Sequence, residues 1–372
     1  MRVVVIGAGV AGLAIGWRLA QADASVIVLD RAQPGRGATW AAAGMIAATA
    51  ELGEGQTPEA ELAHYSRRLW PDFAKEIEEA SGLAIGYRQC GAILAARDAA
   101  EAESFAARAA ADSALASLTV TEARALEPML APDITGALWA AEEAQVDNRA
   151  LGRALALAFV RAGGTLLANE AVVRIETEGD RAVGARTPFA VHRADAFVLA
   201  AGAWSTNIAG LPPGTVPSVK PMKGEMLALS PPSGAQPPAH LVWGNDVYLV
   251  PRSGRLLIGA TLEDAGYDTS LTDAARDWLS SHAIGLMPYL RHWTISDHWA
   301  GLRPASPDGL PMLGPTMVDG LFLASGQYRN GILFAPSVGE ILSRLVLGRP
   351  CDAQAFDPRR FAAPLVPLVK LS

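Results

Sequence analysis

The stretch RVVVIGAGVAG, residues 2–12, decides the fold of this chain. A short β-branched run ends at Gly7, and an apolar stretch with helical spacing begins at Val10. The three glycines have the G-x-G-x-x-G spacing at a turn from strand to helix. Gly7 makes the tight turn, Gly9 lets a pyrophosphate approach the backbone, and Gly12 lets the helix pack closely on the strand. The free N–H groups at the start of the helix would then point at the phosphates.

A second strand follows at Ser25 to Leu29 and ends on Asp30. An acidic side chain at this place can accept a hydrogen bond from a ribose hydroxyl. Strand, glycine turn, helix, second strand and acid in this order predict an adenine dinucleotide site.

The composition bounds the class of protein. The chain has 372 residues, which favours two domains, and with 50% hydrophobic and 19% charged residues it can bury a large core. The net charge of −7 and the lack of a lysine or arginine run exclude a nucleic-acid footprint. Cys90 and Cys351 are too few and too far apart for a zinc cluster or a disulfide framework, so we expect no metal site.

The cysteine usage also suits a reducing compartment, and we expect a cytoplasmic protein. Residues 1–16 are as apolar as a signal peptide, but they contain the dinucleotide turn and are interpreted as core. No stretch is long and apolar enough to predict a membrane span.

The rest of the chain alternates helical and strand patterns. A long helix is predicted over 58–81, with one apolar face formed by Leu62, Tyr65, Leu69, Phe73 and Ile77. The other predicted helices are 98–116, 121–126, 149–162, 272–288 and 338–347. The other predicted strands are 86–94, 165–167, 171–176, 222–229, 241–250 and 255–261. The run 196–205 is predicted to be a buried strand that leads into a small-residue turn.

Three details of this pattern carry further predictions. Asp147 or Asn148 can cap the helix over 149–162. The pattern SVGE at 337–340 predicts a capping box at the start of the last helix. The strands between 222 and 261 alternate in polarity, which is typical of an antiparallel sheet with one open face.

Glycine and alanine dominate residues 35–45. These side chains lack the bulk to fill a core, so the backbone here is expected to approach something flat and large. A plain small-residue helix start after a loop is the alternative.

The order of these elements predicts two discontinuous domains. The dinucleotide-binding domain would consist of residues 1–50, 145–208 and 300–372. The substrate-binding domain would consist of residues 51–144 and 209–299.

At this point the order of motifs resembles the D-amino-acid oxidase superfamily of FAD enzymes, and within it the glycine oxidase branch linked to thiamine thiazole synthesis. The resemblance is carried by GAGVAG at 7–12, ATWAAAGM at 38–45, LAAGAWS at 199–205, YLVPR at 248–252, GLRP at 301–304 and GQYRNGILFAP at 326–336. It implies an α/β fold, with a Rossmann-like FAD domain of the glutathione-reductase type and a second α+β domain on an antiparallel sheet.

The resemblance also implies a set of FAD contacts. The ADP half would be held by Gly7, Ala8, Gly9, Val10, Ala11, Gly12, Asp30 and Arg31. The ribityl chain and the flavin ring would lie along Thr39, Ala42, Ala43, Gly44 and Met45. The adenine, pyrophosphate and ribose would contact Val172, Ala201, Gly202 and Trp204. The pyrimidine end of the ring would contact Arg329, Asn330, Gly331, Ile332 and Leu333, and Arg303 is also expected to contact the cofactor. Since the segment from 301 to 331 has no cysteine, the FAD is expected to be non-covalent.

The last predicted helix would aim its positive end at the flavin N1–C2=O edge. Members of this branch often have methionine at the position of Leu262. The resemblance therefore does not define the pocket wall at this position, nor the side-chain selectivity that depends on it.

The implied reaction moves the Cα hydrogen of a small amino acid, such as glycine, sarcosine or a small D-amino acid, to the flavin as hydride, with oxygen as electron acceptor. A carboxylate needs a planar bidentate donor, which is arginine. Arg303 follows a strand-ending Gly-Leu and precedes Pro304, so a stiff turn would fix it; a surface ion pair is the alternative. Tyr248 is the second candidate, or an ordinary sheet aromatic, and Arg329 is the third. No histidine lies in a recognisable catalytic motif, and His298 is the one nearest Arg303 in sequence.

Three other functions stay open at this point. A dehydrogenase of the same fold would pass electrons from a D-amino acid or D-proline to a quinone or a partner protein. An NAD(P)-linked enzyme could use Arg31 for a 2′-phosphate. A non-catalytic flavin-binding subunit is the third. We also expect a homo-oligomer.

Overall fold

The computed structural model describes residues 1–52, 57–244 and 246–362. Its helices are α1 (Val10–Gln21), α2 (Ala38–Ala41), α3 (Ala48–Leu52), α4 (Pro58–Ser81), α5 (Ala99–Ala111), α6 (Val120–Leu126), α7 (Asn148–Arg161), α8 (Asp273–Leu286) and α9 (Ala335–Val346). Its strands are β1 (Arg2–Ile6), β2 (Ser25–Leu29), β3 (Met45–Ile46), β4 (Arg88–Gln89), β5 (Ala92–Ala96), β6 (Leu115–Leu118), β7 (Gly136–Ala140), β8 (Ala144–Gln145), β9 (Thr165–Leu167), β10 (Arg174–Glu178), β11 (Arg181–Arg186), β12 (Val191–His192), β13 (Ala196–Leu199), β14 (Lys220–Ser230), β15 (Leu241–Gly244), β16 (Val247–Arg252), β17 (Arg255–Gly259), β18 (Thr294–Ala305), β19 (Met312–Pro315) and β20 (Leu321–Ser325).

A six-stranded sheet holds the predicted dinucleotide turn. Its order is β19-β20-β13-β1-β2-β9, and all neighbours are parallel except β19 and β20. Strand β1 is central and covered on both faces, which is why it is apolar throughout. Val3 and Val5 pack against α1, α7 and α9, while Val4 and Ile6 pack against the small sheet β10-β11-β12.

An eight-stranded sheet forms the other large layer, in the order β18-β14-β17-β16-β15-β5-β7-β6. It is antiparallel as predicted, except for the parallel pair of β15 and β5. The prediction of one open face is wrong. Alternate residues such as Leu249 and Ile258 pack under α8, and the opposite face, with Val250 and Leu257, packs against the alanine-rich segment around Ala41 to Ala50.

Several predicted bounds differ from the structure. The segment 241–250 is a hairpin of β15 and β16, because Asp246 has a φ of +63° and turns the chain back. The helix predicted over 98–116 ends at Ala111, and β6 begins at Leu115. The strand predicted at 171–176 begins at Arg174.

The long helix α4 lies where the pattern placed it, but its buried stripe is rotated. Ser66 and Trp70 are fully buried, whereas Tyr65 and Leu69 are only half-buried. Trp70 takes the inner position because it stacks on Tyr87 and meets Phe73 edge to face.

The predicted capping box at the start of the last helix is wrong. Helix α9 begins at Ala335 rather than near 338, after Phe334, and no side chain caps it. Ser337 lies inside the helix, where its hydroxyl donates to the Phe334 carbonyl, and Glu340 accepts a hydrogen bond from the Tyr65 hydroxyl at 2.7 Å.

The division into two domains stays a prediction. The six-stranded sheet takes its strands from the ranges assigned to the dinucleotide domain. Strand β18, however, continues through the boundary drawn at residue 300 and pairs with β14 as far as Ala305.

Candidate active site

A cavity of about 1240 Å³ runs between the two large sheets. Its nucleotide end lies at the β1–α1 turn, and its substrate end lies under β14, β16 and β18.

The glycine turn leaves room for a ligand on one side only. Gly7 has a φ of +111°, and a Cβ there would lie 2.3 Å from the Ala200 carbonyl oxygen. A Cβ at Gly12 would lie 1.9 Å from the Gly7 carbonyl oxygen, so α1 touches the strand at this point. A Cβ at Gly9 would approach only the Thr39 hydroxyl, at 3.4 Å, and would project into the cavity. This cradle fits a pyrophosphate at the N-terminus of α1.

Asp30 stands beside this cradle. Its carboxylate accepts hydrogen bonds from the backbone N–H groups of Ala8 at 2.6 Å and Ala32 at 2.8 Å. Burial raises the pKa of Asp30, and these two hydrogen bonds act in the opposite direction. Next to it, the Arg31 guanidinium lies 3.6 Å from the centre of the Trp204 ring, which makes a cation–π pair at the same end of the cavity.

The small-residue segment 38–45 forms one wall of the cavity and is fixed by distant side chains. The Asn148 amide donates to the carbonyls of Thr39 and Trp40, at 2.8 and 3.0 Å. The Trp299 indole donates to the Ala41 carbonyl at 3.0 Å.

Asp147, not Asn148, caps α7.

Arg252 fixes the next part of the same wall. Its guanidinium donates to the carbonyls of Ala43 and Val146. Burial lowers the pKa of Arg252 to about 10. At Gly44 a Cβ would lie 2.0 Å from the Val146 oxygen, so only glycine fits there.

Arg303 and Tyr248 share the substrate end. Arg303 Nη1 donates to the Thr261 carbonyl at 3.2 Å, and its guanidinium packs on the backbone of Gly224. A Cβ at Gly224 would lie 2.2 Å from Nη1 of Arg303. Burial raises the pKa of the Tyr248 hydroxyl, which the Arg303 charge partly offsets.

The predicted stiff turn around Arg303 is wrong. Arg303 lies within β18, opposite Met222, and the strand continues through Pro304 to Ala305. Strand β18 is an edge strand, where proline is tolerated because its missing N–H need not join a ladder. The strand and the Gly224 contact therefore fix Arg303, rather than a turn.

A charge network lies behind Arg303. Lys223 and Glu225 are both buried, with Nζ and Oε1 2.9 Å apart, and His298 Nε2 lies 2.8 Å from Glu225 Oε2. His298 thus belongs to this network, and no histidine of the described residues lines the cavity.

Glu51, which the sequence analysis missed, faces the substrate end from α3. Its side chain is exposed to the open cavity. Desolvation by the surrounding protein raises the pKa of its carboxyl to about 7, and the charge of Arg329 opposes this shift most strongly. Helix α3 is held by Glu143, whose carboxylate accepts from the N–H groups of the first three residues of the helix, at 3.0, 2.8 and 2.7 Å. Arg108 donates to the carbonyls of Thr49 and Ala50.

The predicted site residues mostly meet at this one cavity. Those that line it are Gly7, Gly9, Val10, Ala11, Asp30, Arg31, Thr39, Ala42, Ala43, Gly44, Met45, Val172, Ala201, Gly202, Trp204, Tyr248, Arg303, Arg329, Asn330, Gly331 and Ile332. Ala8, Gly12 and Leu333 lie behind the wall. The Leu333 carbonyl already accepts from Ser66 and Trp70, at 2.6 and 2.8 Å.

Other residues raised by the sequence lie elsewhere. Leu262 is 47% exposed and does not line the cavity, whose wall there is Ala260 and Thr261. Cys90 and Cys351 are free thiols. Among the described residues, no group of three potential ligands could hold a metal, and no helix is long and apolar enough to cross a bilayer.

Comparison with known proteins agrees with this geometry. The profile of the family described as FAD dependent oxidoreductase matches residues 2–345. Glycine oxidase of Pseudomonas aeruginosa is 35% identical over 365 residues, which is 97% of this chain and 98% of that protein. The bifunctional protein ThiO/ThiG of Trichormus variabilis is 35% identical over 354 residues, 94% of this chain. The chain spans only about half of that relative, 53% of its length.

A solved structure shows the same architecture. The crystal structure of glycine oxidase from Geobacillus kaustophilus superposes with a TM-score of 0.91, at 34% identity, and covers 97% of this chain and 100% of that one.

Proposed function

The chain belongs to the FAD-dependent oxidoreductase family, which confirms the predicted family and cofactor, and we propose that it oxidatively deaminates glycine or a similarly small amino acid with oxygen as electron acceptor. One observation carries the proposal. A single cavity is lined both by the glycine turn that fits a dinucleotide and by Arg303, which is placed to bind a carboxylate. Glycine, oxygen and water would give glyoxylate, ammonia and hydrogen peroxide.

FAD, when bound, supplies the acceptor for the hydride that leaves the substrate Cα. The residues present fit this cofactor: the turn from Gly7 to Gly12 would hold the pyrophosphate, and Asp30 the ribose. The fixed wall 38–45 and the segment from Arg329 to Ile332 would flank the ring. Because no cysteine stands between 301 and 331, we propose that FAD is held without a covalent bond.

The substrate would be oriented by the chain's own side chains. Arg303 would bind the carboxylate with its planar fork, and the Tyr248 hydroxyl would donate to the same group. Fixing the carboxylate fixes the direction of the Cα–H bond, which is the main task left to the protein when the cofactor carries the chemistry. The name of the bifunctional relatives supports a role in thiamine thiazole synthesis, and we propose a cytoplasmic homo-oligomer.

The products test this proposal. Purified yellow protein incubated with glycine in air should form glyoxylate, ammonia and hydrogen peroxide in equal amounts. Fast reduction by D-proline with negligible peroxide would instead indicate a dehydrogenase. Acid precipitation should leave the yellow colour in the supernatant, and colour in the pellet would contradict non-covalent binding.

A further inference from the structure

The substrate end of the cavity holds two arginines, although a simple amino acid has one carboxylate. Arg303 and Arg329 both line it, from β18 and from the segment after β20. If Arg303 binds the α-carboxylate, as the proposed function has it, the charge of Arg329, which lines the cavity beside the place of the ring, would attract a second anionic group.

Glu51 is placed to oppose that charge. It lines the same cavity, and Arg329 is the cation that most favours its ionised form. The backbone just before it is held in place, because Glu143 accepts hydrogen bonds from the first three N–H groups of α3 and Arg108 donates to the carbonyls of Thr49 and Ala50. Glu143 itself is fully buried.

We propose that Glu51 is a specificity-determining residue: its carboxylate opposes Arg329, so that the site accepts amino acids with one carboxylate and rejects those with two. This inference rests on the proposed function, because it assigns the α-carboxylate to Arg303. Rejection by a like charge is an effective way to discriminate between ligands that share all their other groups.

The discrimination should depend on pH. The charged groups that act on Glu51 are Arg329 and Arg303, which favour its ionisation, and Glu143 and Glu59, which disfavour it together with desolvation. With a pKa of about 7, Glu51 is neutral in acid and charged in mild alkali. A second carboxylate should therefore be tolerated below this pH and rejected above it.

Three ligands that cannot be oxidised as amines separate binding from turnover. Methoxyacetate is the oxygen analogue of sarcosine, and diglycolate is the same molecule with a second carboxylate. Isobutoxyacetate has nearly the size of diglycolate without the second charge. Their Kd values are measured on the holoenzyme by calorimetry and by the perturbation of the flavin spectrum.

At about pH 8.5, where Glu51 is ionised, the wild-type protein should bind methoxyacetate at least about tenfold more tightly than diglycolate. Glu51→Gln should lower this ratio by about tenfold. Glu101→Gln removes a rim charge that pairs with Arg97 instead, and should change the ratio by less than about threefold. In the wild-type protein the ratio should fall towards one at about pH 6, and in Glu51→Gln it should not depend on pH.

An unchanged ratio of the two Kd values in Glu51→Gln would overturn the inference. A wild-type ratio that does not depend on pH would also overturn it, and that measurement needs no variant. Equal rejection of isobutoxyacetate and diglycolate would do the same, because size would then decide. Since these ligands carry no amine, a failure of glycine oxidation would not affect the result, so the two proposals fail separately.

Discussion

The two ends of the cavity are built by different parts of the polypeptide. The nucleotide end is built around the backbone of one contiguous stretch, residues 2–30, with glycines where atoms come closest, and residues 200–204 flank it. The substrate end consists of side chains from β14, β16, β18 and α3, which are far apart in sequence. The first end should therefore be sensitive to any added side chain, and the second to the chemistry of particular groups.

The largest effect is expected from Gly12→Ala at the nucleotide end. In Gly12→Ala the new Cβ would lie 1.9 Å from the Gly7 oxygen, a backbone atom, so the α1–β1 contact must break. We expect a loss of more than about 4 kcal/mol in the free energy of unfolding, and no bound FAD. Gly9→Ala is the matched control, because its Cβ meets only Thr39 at 3.4 Å and points into the cavity. It should keep the wild-type apoprotein Tm and lose FAD affinity; a yellow, stable Gly12→Ala protein would contradict this account.

At the substrate end, Arg303→Ala should leave FAD bound and the fold intact. The reaction should lose about 2–5 kcal/mol of transition-state stabilisation, measured as kcat/KM for the best amino acid. Arg303→Lys should also be impaired, since it keeps the charge but not the planar fork. If kcat/KM of Arg303→Ala stayed within about threefold of wild type, the carboxylate would bind elsewhere, and Arg329 would be tested next.

A smaller effect is expected from Gly224→Ala, which changes no functional group. Its Cβ would fall 2.2 Å from Nη1 of Arg303, and the flexible guanidinium can move away, so the protein should fold. A displacement of about 1 Å should lower kcat/KM by about a hundredfold. Gly136→Ala in β7 is the control, because its nearest atom lies at 3.4 Å, and its kinetics should match wild type. Equal kinetics for both variants would show that Arg303 is not fixed by this contact.

This difference in construction also explains what could be predicted from the sequence. The turn at Gly7 to Gly12 and the individual strands follow from local patterns, because neighbouring residues make them. Paired strands such as β1 and β13 are far apart in sequence, and their grouping into two sheets was predicted from the order of the motifs and the family resemblance. Arg303 and Tyr248 were predicted from the chemistry of the implied reaction, and both line the cavity. The residues that flank Arg303 nevertheless gave the wrong reason for its position, because it lies within β18 and not in a turn.

Glu51, Gly224 and Arg252 were missed for a physical reason. Each acts through a partner distant in sequence: Arg329, Arg303 and Ala43, respectively. The failed capping box at Ser337 has a similar cause, since its hydroxyl is 3.1 Å from Ser66 of α4, in the packed core. Local sequence patterns carry no information about such contacts.

Anaerobic reduction of the bound flavin tests the central claim most directly, because it needs neither the electron acceptor nor product release. Purified protein mixed with glycine or sarcosine without oxygen should lose its yellow colour, whereas methylamine, which lacks the carboxylate that Arg303 binds, should leave it unchanged. A flavin that no small amino acid bleaches, or that methylamine bleaches equally well, would contradict the account.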